Sequence, residues 1–145
     1  MSERSGWNDR IVAEFRANEG RVAGPFTGIP LVLVHHVGRR TGRELVAPLA
    51  YLAETDGEPI YVFASKGGAP TNPDWYHNLL AAGRCEIERG TERYAATVSE
   101  VTGPARDEIF ARQVQQVPGF AEYAARTAGV RVIPVLRLAR VYTGD

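Results

Sequence analysis

Apolar residues first recur at helical spacing, with Trp7, Ile11, Val12 and Phe15 on one stripe and Asp9, Arg10, Glu14 and Arg16 opposite. Asn18-Glu19-Gly20 supplies a stop, so residues 1–20 read as an amphipathic N-terminal helix. The pattern then changes. After the loop-forming Gly24-Pro25-Phe26-Thr27-Gly28-Ile29-Pro30, the run from Leu31 to Val37 is apolar almost throughout, which predicts a strand covered on both faces for part of its length. Gly38 to Gly42 turns the chain into a second strand, Leu45 to Leu52. Asp56-Gly57 marks a hairpin, and Ile60 to Ala64 forms a third strand. Paired glycines and two prolines make Ser65 to Pro73 a loop. Asn72 or Asp74 then caps a helix through Trp75, Leu79 and Leu80, with Pro73 in its first turn.

Cys85 to Glu88 and Arg93 to Val101 form a hairpin around Gly90-Thr91. Thr102-Gly103-Pro104 opens a helix that turns Ile109, Phe110 and Val114 inward, and Pro118-Gly119 interrupts it. A short helix carries Phe120 and Tyr123, and Val132 to Leu138 closes the chain as a strand. About six strands with no repeated strand–helix–strand crossover predict an α+β fold, a mainly antiparallel barrel or sheet with peripheral helices.

Composition narrows the functional classes. A chain of 145 residues fits one domain, 1–145, and its 44% hydrophobic and 23% charged residues are ordinary for a globular protein. The formal net charge is zero, so nothing global draws the molecule to nucleic acid or an anionic membrane, and any electrostatic function must be local. A single cysteine, Cys85, excludes an internal disulfide and a cysteine-rich metal site, and its strand setting predicts buried packing. His35 and His36 are adjacent on a strand and point to opposite faces, so they cannot share one metal, and no metal site is expected. No G-x-S-x-G elbow is present. The polar N-terminus shows no signal peptide and no segment is apolar enough to span a bilayer, so a cytoplasmic location is expected. The first helix reads as packed on the domain. Its alternative is weak membrane-surface association at the inner face of the cell membrane, with Trp7 as interfacial anchor.

Two loops concentrate cationic chemistry. Gly38-Arg39-Arg40-Thr41-Gly42-Arg43 places three guanidinium groups between flexible glycines, suited to bidentate contact with phosphate or carboxylate oxygens. A solvated basic hairpin turn is the competing reading. Ala64-Ser65-Lys66-Gly67-Gly68-Ala69-Pro70 carries the only lysine of the chain beside two glycines, in the manner of an anion-binding nest, with a plain flexible loop as its alternative. Trp75 and Tyr76 offer either core packing or an aromatic wall for a planar ring.

In this order and spacing the blocks resemble the deazaflavin-dependent nitroreductase family. The likeness runs from Glu14-Phe15-Arg16-Ala17-Asn18 through the basic turn, Pro48-Leu49, the lysine loop and Asn72-Pro73-Asp74-Trp75-Tyr76-His77-Asn78-Leu79. It continues to Pro118-Gly119-Phe120-Ala121-Glu122-Tyr123 and Arg131-Val132-Ile133-Pro134-Val135, so it covers nearly the whole domain. The resemblance implies a split β-barrel, similar to FMN-binding split barrels, using reduced coenzyme F420 to pass a hydride to a quinone, nitroaromatic or activated enone. It implies that Arg39, Arg40, Thr41, Gly42 and Arg43 meet the cofactor's phosphate and oligoglutamate tail. Pro48, Ala64, Ser65, Lys66 and Gly67 would line the deazaflavin and its linker, and Trp75 and Tyr76 would shape the ring pocket. Ser65 and Tyr123, hydroxyl-bearing residues of matched blocks, are the candidate catalytic groups. Leu45 stands where relatives often carry a basic residue. Val117 and Phe120 stand where some nitro-reducing relatives carry tyrosines, which favours quinones over nitroimidazoles. An FMN-dependent split-barrel oxidoreductase and a non-catalytic F420 carrier are the alternatives. The expected partner is a small-molecule electron acceptor, with no nucleic acid and no obligate protein partner.

Overall fold

The strand β1 (Leu31–Val37) is apolar on both faces because the fold covers both. In a computed structural model describing residues 3–142, Val32 and Val34 point into a barrel core with Ile60, Val62, Ile87 and Leu136, while Leu31 and Leu33 join a second core with Ile11 and Phe15. Those last two lie on helix α1 (Glu3–Ala17), so the helix's apolar stripe is spent on the domain. The side chain of Trp7, the expected interfacial anchor, lies outside the described residues. No helix among the described residues is long and apolar enough to cross a membrane.

β1 is followed by β2 (Glu44–Ala53), β3 (Ile60–Phe63), helix α2 (Asp74–Ala82), β4 (Arg84–Arg89), β5 (Glu92–Val101), helices α3 (Gly103–Gln116) and α4 (Phe120–Thr127), and β6 (Val135–Arg140). All recorded pairings are antiparallel, and the strands close a barrel in the order β1-β2-β3-β6-β5-β4. The expected α+β barrel is therefore the observed one. α2 drops the fully buried Leu79 into the barrel core, and α3 and α4 cover Tyr61, Phe63 and Val135 with Ile109, Phe110 and Phe120. Cys85 is buried in the core, and burial pushes its thiol up to about 12, so it packs and does not react.

Most element ends shift by one to three residues from the sequence expectation, and three of the differences have a clear physical reason. Pro73 precedes α2 in extended conformation and Asp74 is the first helical residue, so neither Asn72 nor Asp74 caps it through a side chain. β3 stops at Phe63, with Ala64 N still donating to Pro134 O at 3.0 Å. β6 starts at Val135 and not Val132, because Pro134 has no N–H for a ladder and Val132 is turned out to solvent.

α1 is also bolted to the barrel electrostatically. Arg16 grips both oxygens of Glu88 on β4 (Nε–Oε1 3.0 Å, Nη2–Oε2 2.7 Å), and His35 Nε2 lies 2.6 Å from Oε2. The hydrogen bond from Arg16, reinforced by His35, holds the Glu88 carboxyl down at about 2. A depressed acid pKa stabilises the fold above the ordinary value of 4.5, and that stabilisation is lost as pH falls toward about 2. Urea unfolding of wild type and Glu88→Gln should therefore differ by about 1–2 kcal/mol at pH 7, and the two curves should converge as pH falls from about 4.5 to 2. A gap that is constant with pH would assign the effect to packing. Close approach matters beside this clasp: a Cβ on Gly20 (φ +97°) would sit 2.9 Å from Gly90 Cα, so the α1 stop and the β4–β5 turn meet backbone to backbone.

Candidate cofactor site

β2 runs well past the end of its pairing with β3. β2 pairs with β1 along residues 44–50, but it pairs with β3 only through Tyr51, Leu52 and Ala53. Tyr51 N points toward the β1 side, donating to Pro30 O, so by strand alternation the even-numbered residues of β2 face β3. Pro48 is one of these, and it has no N–H to offer a ladder. Continuing the observed register would put Pro48 opposite Ser65, two residues past the end of β3, where the glycine loop begins. The split thus falls between Pro48 and the lysine loop, two blocks that the resemblance assigns to one cofactor.

That loop has nest geometry. Ser65 is right-handed (φ −72°, ψ −37°), and Lys66 and Gly67 are left-handed (φ 48° and 63°). A right-handed residue followed by a left-handed one points successive N–H groups at a common concavity, a natural anion seat. A lysine at positive φ is uncommon and costs conformational energy, which marks a residue held for a purpose. The carbonyls behind the nest are occupied: Gly68 N donates to Ser65 O at 2.9 Å and Ala69 N to Lys66 O at 3.1 Å. Lys66 Nζ reaches Thr71 Oγ1 at 3.1 Å. α4 presses on the loop from outside, where a Cβ on Gly68 would lie 2.8 Å from Arg126 Cδ and Arg126 Nη1 donates to Gly67 O at 3.2 Å.

The basic turn sits at the far end of β1. Gly38 N donates to Arg43 O at 2.9 Å, Gly42 N to Gly38 O at 2.8 Å, and Gly42 takes φ 71°. Thr41 Oγ1 accepts from Arg43 N at 3.2 Å and lies where a Gly38 Cβ would be, so this hydroxyl shapes the turn. Arg39, Arg40 and Arg43 are exposed, and none pairs with a carboxylate among the described residues, unlike Arg16, Arg89, Arg93 and Arg140. Pro48 is five residues from Arg43 along β2, about 17 Å of extended strand. A ligand touching both the nest and the turn must be long and anionic.

Asn78 on α2, which the sequence offers only as part of a larger block, braces the basic turn against the barrel. It is 3% exposed. Its Oδ1 accepts from Arg39 N at 3.1 Å and from Arg39 Nη1 at 3.0 Å, and Nδ2 meets His36 Nδ1 at 3.0 Å. Burial, the leading cause, lowers the His36 pKa, and the Nδ2 donor requires Nδ1 to be an acceptor, so the imidazole is neutral there. His35 points the other way to Glu88.

Other expected site residues are distributed as follows. Trp75 and Tyr76 pack partly buried against the barrel core, and Tyr76 Oη donates to Glu100 on β5 at 3.0 Å. Tyr123 lies on α4 with its ring edge-on to Phe120 at 5.1 Å, three residues before the loop-contacting Arg126. No hydrogen bond joins the Ser65 and Tyr123 side chains among the described residues. Phe120 and Val117 are spent on the α3–α4 core, and Leu45 is partly buried opposite His36. A separate cleft of about 840 Å³ lies between the end of α1 and residues 26–30, at the other end of β1 from the turn. It is lined by one cation, Arg21, against Glu14 and Glu19, the wrong balance for a polyanion.

A family model described as F420H(2)-dependent quinone reductase matches residues 7–139. An F420H(2)-dependent quinone reductase of Mycobacterium tuberculosis is 35% identical over 134 residues, covering 88% of this chain and 86% of the relative. Among solved structures, an F420-H2 dependent reductase is 31% identical with a TM-score of 0.64, covering 75% of this chain and 93% of the other. The haem storage protein HutZ of Vibrio cholerae shares the fold alone, at 14% identity and TM-score 0.56 over 93% of this chain and 91% of its own.

Proposed function

This chain belongs to the F420H(2)-dependent quinone reductase family and is an oxidoreductase using coenzyme F420, and on that footing we propose that it reduces a quinone by hydride transfer at the Pro48–Ser65 seam. The observation that carries the reading is the pairing of a nest with an exposed, carboxylate-free arginine turn along one open strand edge. A phosphate-bearing cofactor with a polyanionic tail has the length and charge for that edge. Reduced deazaflavin supplies a hydride when bound, and the protein's part is orientation and charge stabilisation.

Each residue then has a distinct task. Arg39, Arg40 and Arg43 hold the anionic tail, with Thr41 and Gly42 keeping the turn in shape. The N–H groups of Ser65, Lys66 and Gly67 hold an oxygen of the ring or its linker, and Ala64 and Pro48 form the two lips of the seam. Trp75 and Tyr76, fixed on the core side, form the wall that excludes water. The Ser65 and Tyr123 hydroxyls supply or relay a proton to the acceptor oxygen. Nitroaromatics and activated enones are further acceptors of the same chemistry. Quinones are favoured because Val117 and Phe120 are committed to the hydrophobic core and offer no hydroxyl.

Titration with F420, FMN and haem, followed by oxidation of F420H2 with menadione, tests the reading. F420 binding with menadione-dependent turnover is expected. Tight FMN binding without F420 binding would overturn it, and F420 binding without turnover would favour a carrier. In single-turnover experiments Ser65→Ala and Tyr123→Phe should slow acceptor reduction, at least one of them by about tenfold or more. If both react at the wild-type rate, these hydroxyls carry no proton.

A further inference from the structure

Arg131 follows α4 in a turn where Val130 N and Arg131 N both bond Thr127 O, at 2.8 and 3.0 Å. Its guanidinium reaches back to the nest loop. Nε donates to Ala69 O at 3.0 Å, Nη1 to Ala64 O at 3.0 Å and to Asn72 Oδ1 at 2.8 Å, and Nη2 to Ser65 O at 2.9 Å. All four acceptors are neutral. No carboxylate pairs with Arg131 among the described residues, and burial lowers its pKa.

A trans peptide is planar, with its C=O and N–H pointing in opposite directions. By holding Ala64 O and Ser65 O, Arg131 therefore sets the other ends of the same two peptides, the N–H groups of Ser65 and Lys66. The third peptide is set by Ala69 N donating to Lys66 O. These are the three donors of the nest. An arginine whose fork is filled by carbonyls and whose charge no acid neutralises also leaves a fixed positive field behind them.

We infer that Arg131 is the positioning residue of the nest, orienting the Ser65 and Lys66 N–H groups through the carbonyls of Ala64 and Ser65 and lending its unneutralised charge to an anionic oxygen seated there. That the oxygen belongs to F420 rests on the proposed function. Its source is either the phosphodiester of the cofactor or a ring oxygen of the reduced deazaflavin, and the experiment separates them.

Amide spectra of ¹⁵N-labelled protein are titrated with inorganic pyrophosphate, F420, and a phosphate-free deazaflavin riboside, oxidised and reduced. In wild type the Ser65, Lys66 and Gly67 amides should shift with anionic ligands. Arg131→Gln should raise the Kd for those ligands at least tenfold and leave the neutral oxidised riboside within about twofold. Weakening of the reduced riboside assigns the ring oxygen; weakening of F420 and pyrophosphate alone assigns the phosphodiester. Arg131→Lys keeps the charge and loses most of the fork, so a three- to tenfold effect is expected, and this variant carries the test if the glutamine variant does not fold. Equal weakening of every ligand, wild-type affinity in the variants, or wild-type amides that move with none of the ligands overturns the inference. If pyrophosphate moves these amides in wild type and F420 does not bind, the cofactor reading falls while the role of Arg131 stands.

Discussion

An Arg39→Glu, Arg40→Glu protein is expected to bind F420 at least 100-fold more weakly than wild type while remaining folded. Hydrogen bonds to charged groups contribute about 1.5–3 kcal/mol each, so losing two weakens binding by about 3 kcal/mol or more, and tenfold in Kd corresponds to about 1.4 kcal/mol. Reversing the charge adds repulsion. Neither arginine pairs with an acid among the described residues, so in the free protein the change removes the Arg39 Nη1 bond to Asn78 but no ion pair, and the Arg39 N bond to Asn78 remains. Because both side chains are exposed, wild-type affinity should fall as salt is raised and the variant's residual affinity should respond much less. Isothermal titration at two salt concentrations measures both. Normal affinity in the variant would remove the turn from the site.

The second large effect is expected at Asn78. Asn78→Leu keeps the number of side-chain heavy atoms but leaves Arg39 N and the acceptor nitrogen of His36 without their buried partner. Each unsatisfied group costs about 1–3 kcal/mol, so chemical denaturation should show a loss of about 2–4 kcal/mol and F420 binding should weaken about tenfold as the turn loosens. Asn78→Asp should cost less, because the carboxylate still accepts from Arg39 and lets His36 bind a proton at Nδ1. The pH response separates the cases. A base with a lowered pKa loses stabilisation as pH falls below its ordinary value of 6.5, so wild type should weaken on mild acidification. The aspartate variant, whose carboxylate raises the His36 pKa, should weaken less or gain. Identical profiles would mean that Asn78 does not control the imidazole.

Much of this architecture is legible along the chain. The both-face apolar run at Leu31 to Val37, the Gly90-Thr91 hairpin and the Pro118-Gly119 break between α3 and α4 all fall where local pattern and turn chemistry put them. The basic turn and the lysine loop are legible for the same reason: their glycines and cations are neighbours in sequence. Boundaries slipped where a partner, not the local residues, decided, as at Pro134 and Val135, where a missing N–H ends pairing across the sheet.

The sequence by itself determined the order of elements, the placement of the glycines and the clustering of cations, because these depend on residues within a few positions of one another. Only the tertiary structure decided that β2 pairs with β3 no further than Tyr51, in a register that runs Pro48 toward Ser65, and that Asn78 holds Arg39. It also decided that Arg131 reaches across 66 positions to build the nest from behind. Those relations depend on strand register and on which distant polar groups must be satisfied once water is excluded. Many pairings would fit the same local pattern, and only the packed barrel selects among them.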